Sequence, residues 1–328
     1  MTSEADIGRA ADIAAGSRAV RRPMSTGRRG DQIFALTSRA SGIALLAVMA
    51  AIAVFLIWKA IPALQANTAN FLTEQEWNPN ADPPVFGIAQ LAYGTVMTSF
   101  LALLMATPVA FGIALFISFY APRRLAAALG YLVDLLAAVP SIVYGLWGLH
   151  YFSTKMDDVG RFLNTYFGWI PLFGGDSVGG RSLLTASVIL AIMILPIISS
   201  LTREVFLQVP TAHVEAALAL GATRWEVIKM AVLPFGRSGM ISAAMLGLGR
   251  ALGETIAVAM VLSTAGGISI HILKDGGNTI AANIANSFAE AGETARGALI
   301  ASGLVLFVIT LIVNMTARAI VARHREFA

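Results

Sequence analysis

Long apolar stretches separated by polar segments dominate the chain. A helix that crosses the roughly 30 Å hydrocarbon core of a bilayer needs about 20 apolar residues. Six stretches are long enough: 41–64, 93–120, 125–151, 183–201, 240–264 and 298–320. Pro108, Pro140 and Pro196 fall inside three of them, where neighbouring helices can satisfy the freed backbone groups. The pattern predicts an all-α integral membrane protein with six transmembrane helices.

Basic residues are divided unevenly between the two sides that these spans define. Sixteen Lys and Arg lie on the side of the N-terminus and six on the other, while Arg250 lies within the fifth span. Positive residues concentrate on the cytoplasmic side of membrane proteins. The count predicts a multi-pass protein of the plasma (inner) membrane with both termini in the cytoplasm.

The same reading divides the chain into three parts. Residues 1–40 are predicted to be a polar cytoplasmic tail, 41–322 a six-span domain with a cytoplasmic loop at 209–236, and 323–328 a short cytoplasmic tail. Three loops on the opposite side are long, at 65–92, 152–182 and 265–297. Docking of an external partner and simple coverage of the bundle are both open for them.

Composition excludes several classes of site. The chain is 57% hydrophobic, 13% charged and contains no cysteine, which rules out disulfides and thiolate metal sites. None of the four lysines follows a glycine, so the phosphate-binding Gly-Lys-Ser/Thr motif is absent, and no His-Glu-x-x-His occurs. We therefore expect no nucleotide site, no metal and no cofactor in this chain, and no enzymatic activity of its own.

The cytoplasmic loop between the fourth and fifth spans has strong helix signals. Pro210 begins a short helix, and Gly221 ends it. Thr223 and Glu226 form a capping box for a second helix, which is predicted to stop at Leu233-Pro234. Two short helices joined at a glycine form a compact projection suited to docking in a groove of another protein.

This loop resembles the EAA signature of ABC importer permeases. The matching residues are Glu215, Ala216, Ala217, Gly221, Leu233 and Pro234. The sequence departs from the usual pattern at Ala231, where the family has Ile. The resemblance implies an importer-type (MetI-like) permease fold and a loop that inserts into a cleft of a separate ATPase subunit.

The fifth span carries charges in a membrane environment. Arg250 and Glu254 are four residues apart and are predicted to share one helix face, beside a Gly249/Gly253 pair that suits close helix packing. Charged residues in spans tend to face a bundle interior or a wet cavity. One reading is a self-neutralising ion pair, and the other is a substrate path. A path with Arg and a carboxylate would favour hydrogen phosphate over sulfate, which has no O–H to donate.

The third span holds further candidates for the path. Asp134 is a second intramembrane charge. Arg250 and Arg203 are alternative ion-pair partners for it, and a structural role is also open. Pro140 follows, and Ser141 and Tyr144 offer hydroxyls close to the break. A kink that lines a gate and a kink that serves packing are both compatible with this pattern.

Four strings narrow the resemblance to the phosphate-specific (Pst) transporter permeases. AAVPSIVYG at 137–145 and GLGRALGET at 247–255 are similar in both permease subunits of that family. FLTEQEWNP at 71–79, GDQIF at 30–34 and the long first outer loop are similar to its C subunit, PstC. The resemblance covers most of the chain after residue 30 and implies that Arg250 and Glu254 are required for phosphate passage.

The same resemblance implies partners. They are a second permease subunit (PstA-like), an ATPase dimer that binds ATP and Mg (PstB-like) and an external phosphate-binding protein (PstS-like). The alternatives are a permease for molybdate or sulfate, the sister PstA subunit, an ion-coupled secondary transporter, and a membrane enzyme that uses Asp134 and Glu254.

Overall fold

The computed structural model describes residues 28–175, 178–263 and 267–325. Within them the chain forms helices and one small hairpin. The elements are α1 (Arg28–Ala66), β1 (Trp77–Asn78), β2 (Val85–Phe86), α2 (Ala89–Leu115), α3 (Arg123–Ala137), α4 (Ser141–Trp147), α5 (Ser153–Phe167), α6 (Leu183–Leu207), α7 (Thr211–Ala219), α8 (Arg224–Val227), α9 (Leu233–Leu252), α10 (Ile256–Val261), α11 (Ile280–Ser287) and α12 (Glu293–Arg325). Three π-helical turns extend α2, join α4 to α5 and join α8 to α9: Phe116–Tyr120, Gly148–Phe152 and Ile228–Val232.

Five helices in the described residues are long and apolar enough to cross a membrane. A sixth candidate is the pair α3 and α4–α5, which meet at a bend of 85°. The predicted all-α fold with several spans is confirmed. Most spans match the apolar stretches, with helix ends that extend several residues beyond them because polar residues continue the backbone hydrogen bonding.

The chain divides into two compact units, Met1–Val54 and Phe55–Ala328. In the first unit, the described residues are helical from Arg28, so part of the predicted polar tail is helix. Residues 1–27, the remainder of that tail, lie outside the described residues. At the other end, α12 extends to Arg325, and residues 326–328 also lie outside them.

The core of the second unit lies between α2 and α6. Helix α6 is the most deeply buried of the candidate spans. On α2, small residues recur at every fourth position, which places them on one face and lets α6 approach closely. The buried small residues of this face are Thr98, Ala102, Ala106, Ala110 and Ala114. Large aliphatic side chains of α6 share a core cluster with the central three alanines, including Ile189, Leu190, Ile194 and Ile198.

The third and fifth predicted spans are broken in the structure. The predicted span 125–151 is α3, a break at 138–140 and then α4, because Pro140 cannot continue the helix. The predicted continuous helix over 240–264 is also wrong. Its helix ends at Leu252 with Gly253 as the C-cap, and the shorter α10 follows. Thr264, the predicted end, lies outside the described residues.

Loop segments from three parts of the sequence meet in one layer, which we call the loop cap (residues 67–88, 168–175 and 267–279). Trp77 and Phe71 pack edge-on against Phe86 of the hairpin. The Gln75 side chain accepts a hydrogen bond from Ile268 N at 3.1 Å, which links the first segment to the third. Leu172 O accepts from the backbone N–H of Ile272, which links the second segment to the third. Helix α11 follows the third segment.

Candidate functional site

The two broken spans pack against each other at Gly145 of α4 and at Gly148, the C-cap of that helix. A Cβ added at Gly145 would lie 3.0 Å from Ala257 Cα and 3.0 Å from Met260 Sδ of α10. A Cβ added at Gly148 would lie 2.5 Å from Ile189 Cδ1 and 3.0 Å from a methyl group of Val261. These distances leave no room for a side chain. The glycines therefore allow α4 and α10 to lie side by side as two short helices.

Arg250 and Glu254 do not share a helix face. Arg250 lies in the last turn of α9 and is exposed, whereas Glu254 lies beyond the end of that helix and is only 9% exposed. Glu254 Oε1 accepts a hydrogen bond from Ala257 N at 3.2 Å. The carboxylate thus caps the first turn of α10, where negative charge is favoured by the free N–H groups and the helix dipole.

The ion pairs of the described residues include neither Arg250 nor Glu254. Arg250 lies in the last turn of α9, and Tyr144 lies one turn into α4. The Tyr144 hydroxyl donates to Leu136 O at 3.2 Å, a carbonyl of the last turn of α3. Ser141 is the first residue of α4 and is half-buried. Four of the sequence-predicted path residues therefore lie at the two helix breaks.

The fifth path candidate, Asp134, pairs with Arg203, one of the two partners left open by the sequence. The Arg203 guanidinium lies 3.5 Å from Asp134 and 3.1 Å from Glu204. The guanidinium also lies over Gly130, one turn before Asp134, where an added Cβ would overlap its Nη1 atom. This arrangement ties α3 to α6, so Asp134 has a clear structural role.

The predicted packing pair Gly249 and Gly253 has no helix against it in the described part of the chain. A Cβ at Gly249 meets nothing within 4 Å, and one at Gly253 meets only the carbonyls of its own helix. Because the first of these positions is free, this stripe of α9 is open to a neighbour from outside the chain.

The loop at 209–236, predicted to be cytoplasmic, has the predicted helix end at Gly221 and the predicted capping box at Thr223. Helix α7 ends at Ala219, and Gly221 follows with φ of +83°, a conformation that favours glycine. Both bonds of the capping box are present: Glu226 N donates to Thr223 Oγ1 at 3.4 Å, and Thr223 N donates to Glu226 Oε2 at 2.7 Å.

One prediction about this loop is wrong, because the helix does not stop at Leu233-Pro234. The π-helical turn leads straight into α9, and Leu233 N donates to Ile228 O across its wider ring. Pro234 then falls in the first turn of α9, where its missing N–H costs no hydrogen bond. One continuous helix therefore runs from Arg224 to Leu252.

The loop has an anchored face and an open face. Ile228 and Val232 are buried in a cluster with Phe206 and Ala114, and Ala217 is also buried. Apolar residues occupy the open face, with Leu220 exposed by 89%, Met230 by 60% and Trp225 by 53%. Glu215 and Ala216 of α7 are exposed as well. A cleft of about 270 Å³ lies between the loop and the helix ends, lined by Ser118, Phe119, Leu207, Thr211 and Val214 among others.

Sequence reasoning missed the residues that hold the two short helices. Gly148 was not singled out, and Gly145 was noted only as the end of a string. Arg181 was counted only as an outer basic residue. Each of them contacts residues 40 to more than 100 positions away. Spacing along the chain offers no signal for such contacts.

Comparisons with known proteins identify the family of the chain. Residues 106–326 match the family described as "Binding-protein-dependent transport system inner membrane component". The protein named phosphate transport system permease protein PstC 2 of Mycobacterium tuberculosis is 48% identical over 302 residues, which cover 90% of this chain and 93% of the relative. PstC of Mycobacterium leprae is 49% identical over 82% of this chain and 86% of its own length. PstC of Xylella fastidiosa is 44% identical over 90% of this chain and 91% of its own.

The fold has a solved counterpart. A chain of the MetNI methionine ABC transporter, solved in inward-facing conformations, superimposes with a TM-score of 0.53 at 15% identity, and the match covers 72% of this chain and 95% of that chain. At this identity the likeness concerns the fold alone. The family match and the sequence relatives show that the chain belongs to the binding-protein-dependent transport system inner membrane components, and within them to the PstC permeases.

Proposed function

We propose that this chain forms part of the membrane path of an ATP-driven importer of inorganic phosphate. One observation carries the proposal: the exposed Arg250 guanidinium, unpaired by any carboxylate in the described residues, lies in the last turn of α9, directly before the break to α10. An Arg can direct two parallel N–H donors at one oxyanion. The two helix breaks bring Arg250 and Glu254 into the membrane-spanning part of the chain without a continuous helix between them.

Glu254 supports phosphate over other oxyanions. A carboxylate only accepts hydrogen bonds, so it favours a ligand that carries its own O–H. Hydrogen phosphate has one at neutral pH, whereas sulfate and molybdate have none. The names of the relatives, which are phosphate transport permeases, agree with this chemistry. Asp134 stays outside the proposed path because its charge is already paired with Arg203.

The partners follow from the family and from two open surfaces. By family the chain is a permease subunit and not itself an enzyme, and such subunits work with an ATPase and a binding protein. We assign the exposed side of the cytoplasmic loop, Glu215 to Gly221 with Trp225, to a PstB-like ATPase dimer that binds ATP and Mg. The open stripe of Gly249 and Gly253 suits a PstA-like second permease. The loop cap suits a PstS-like external phosphate-binding protein.

This assignment fixes an orientation. The cytoplasmic loop and both termini lie on the side that carries most of the basic residues, and the loop cap lies on the other side. Cysteines introduced one at a time are suitable reporters because the chain has none of its own. A cysteine at Leu220 is expected to react with membrane-impermeant maleimide only in inside-out vesicles, and one at Trp169 only in right-side-out vesicles.

The direct test is uptake of radiolabelled phosphate by cells that carry the complete transporter and no other phosphate importer. We expect Arg250→Gln and Glu254→Gln each to reduce uptake to near background, while the amount of chain in the membrane and its co-purification with the ATPase stay unchanged. The matched control is Arg161→Gln, since that arginine lies on the surface with a side chain 70% exposed. Normal uptake in both path variants would overturn the proposal.

The same assay tests the choice of anion. Excess unlabelled sulfate or molybdate is expected to leave phosphate uptake unchanged. Strong inhibition by either anion, at equal occupancy of the binding protein, would assign the path to another oxyanion.

A further inference from the structure

The side chain of Arg181 lies across one end of α10. Its Nε donates to Val261 O at 3.1 Å, and its Nη2 donates to Leu262 O at 2.9 Å and to Met260 O at 3.4 Å. Three consecutive carbonyls at the end of one helix thus accept from one guanidinium. Arg181 precedes α6, so this contact joins two segments about 80 residues apart in the sequence.

The carbonyls at a helix end have no partner inside the helix. A cation close to them is stabilised by the helix dipole, as an anion is at the other end. Helix α10 has six residues, too few for an isolated helix to be stable in water. With Glu254 bonded to Ala257 N at its start and Arg181 at its end, it is held by opposite charges at both ends.

The backbone of Arg181 is fixed by the loop cap. Arg181 N donates to Asp275 Oδ1 at 2.9 Å, and Gly276 N donates to Arg181 O at 3.2 Å. The Asp275 carboxyl group occupies the space where a side chain at Gly179 would lie. Arg181 therefore has little freedom to move without the loop that carries Asp275.

On the other side, α10 is in close contact with α4. Gly145 and Gly148 lie against Ala257, Met260 and Val261, so α10 cannot move toward α4 without a clash. Tyr144 lies next to the first of these glycines, and Glu254 lies at the start of α10. A continuous set of contacts runs from Asp275 through Arg181 and α10 to the groups of the proposed path.

We propose that Arg181 is a positioning residue for the phosphate path. It holds α10, and with it Glu254, in place beside α4, and it joins that position to the position of the loop cap. Phosphate itself need not touch Arg181. The inference rests on the proposed function, because it assigns Arg181 a role toward the residues of that path.

The first experiment measures phosphate uptake for Arg181→Gln, Arg181→Lys and the surface control Arg161→Gln in the complete transporter. We expect Arg181→Gln to lower the maximal rate tenfold or more, with the half-saturating phosphate concentration within twofold of the parent. Arg181→Lys should recover part of the rate, because it keeps the charge but cannot form the fork of guanidinium donors. The control should keep the parent rate.

The second experiment reads the position of α10 directly. A nitroxide is attached to a cysteine at Ile256, a half-exposed residue of the first turn of α10, in a complex whose other subunits contain no cysteine. In the parent we expect a broad, immobilised spectrum. Arg181→Gln should sharpen it, and Arg161→Gln should leave it as it was.

The outcomes separate this inference from the proposed function. Parent-level uptake in Arg181→Gln, or lowered uptake with an unchanged nitroxide spectrum, would overturn the positioning role while the path through Arg250 stands. If Arg181→Gln fails to reach the membrane, Arg181→Lys is judged by the same two readouts. Failure of the proposed function looks different, since the unmodified transporter would then carry no phosphate, or Arg250→Gln would transport normally.

Discussion

The cytoplasmic loop and the pair of short helices α4 and α10 are both compact, but they are built from different kinds of contact. In the loop, Thr223 bonds with Glu226 three residues away, and Gly221 takes the backbone conformation that ends α7. In the helix pair, Gly145 lies against Ala257, more than 100 residues away. The loop is specified by neighbours in sequence, and the helix pair by neighbours in space.

This difference decides how each region should respond to substitution. Local capping contributes about 1 kcal/mol per interaction, and its loss frays one helix end. The effect of a substitution at a glycine in a close helix–helix contact is not confined to one helix end, because an added side chain must displace a whole helix. Substitution at Gly145 tests the helix pair and should have the largest effect. Substitutions at Gly221, Thr223 and Glu74 test local contacts and should have smaller effects.

Gly145→Leu is expected to have the largest effect. The added side chain would need the space of Ala257 and Met260, and overpacking of this kind costs about 1–3 kcal/mol or more. We expect a lower thermal midpoint of the purified chain in detergent and loss of phosphate uptake.

The matched control is Gly112→Leu, a helical glycine of α2 where an added Cβ meets nothing within 4 Å. It should keep the parent midpoint within a few degrees. Equal midpoints for the two variants would mean that the contact between α4 and α10 does not constrain the fold.

Gly221→Val should have the next largest effect. A β-branched residue at φ of +83° is strained by about 1–3 kcal/mol. We expect faster amide hydrogen exchange in α7, with the core helix α6 unchanged. Gly221→Asn is the control, since asparagine tolerates this conformation better, and exchange as fast as in the valine variant would argue against backbone strain as the cause.

Thr223→Ala should act more weakly and more locally. Removing the cap costs about 1 kcal/mol and leaves the N–H of Glu226 without its side-chain acceptor. Faster exchange is expected for the first turn of α8 alone, and Thr223→Ser should restore protection. Faster exchange throughout α9 would show that the loop and the long helix are less independent than the local contacts suggest.

Glu74 of the loop cap should give the smallest effect. Bonds from the backbone N–H groups of Glu76 and Gln75 lower the pKa of this exposed carboxyl group. A lowered folded-state pKa means that the carboxylate stabilises the turn at neutral pH and that this is lost as pH falls through that pKa. Proteolysis of the loop should be slightly faster in Glu74→Gln at pH 7, and the difference should vanish in acid. A difference that persists in acid would contradict the assignment.

Much of the fold could be predicted from the sequence. Apolar length locates most of the spans, and Gly221, Thr223 and Glu226 locate the end of the first loop helix and the start of the second, because each signal acts within a few residues. Prediction is poorer where tertiary contacts determine the point at which a helix ends. The end of α9 at Leu252 has only Gly253 as a local sign, and apolar residues continue past it.

Candidate residues for the site can be named from the sequence, but their arrangement cannot. Arg250 and Glu254 are conspicuous as charges in an apolar stretch, so their types alone marked them. A spacing of four suggests one face only if the helix continues, and here it stops between them. The pairing of Asp134 with Arg203 stayed open for the same reason, since it depends on the crossing of α3 and α6.

The helix that runs without interruption from Arg224 to Leu252 has a mechanical consequence. Trp225 stands near one end and Arg250 near the other, about 38 Å apart at 1.5 Å per residue. A small rotation of this helix about its Trp225 end would displace the guanidinium at its other end. A tilt of about 5° around its Trp225 end would swing Arg250 by about 3 Å, roughly the length of one hydrogen bond. A change too small to alter the shape of the loop would then be enough to make or break the contacts of one anion.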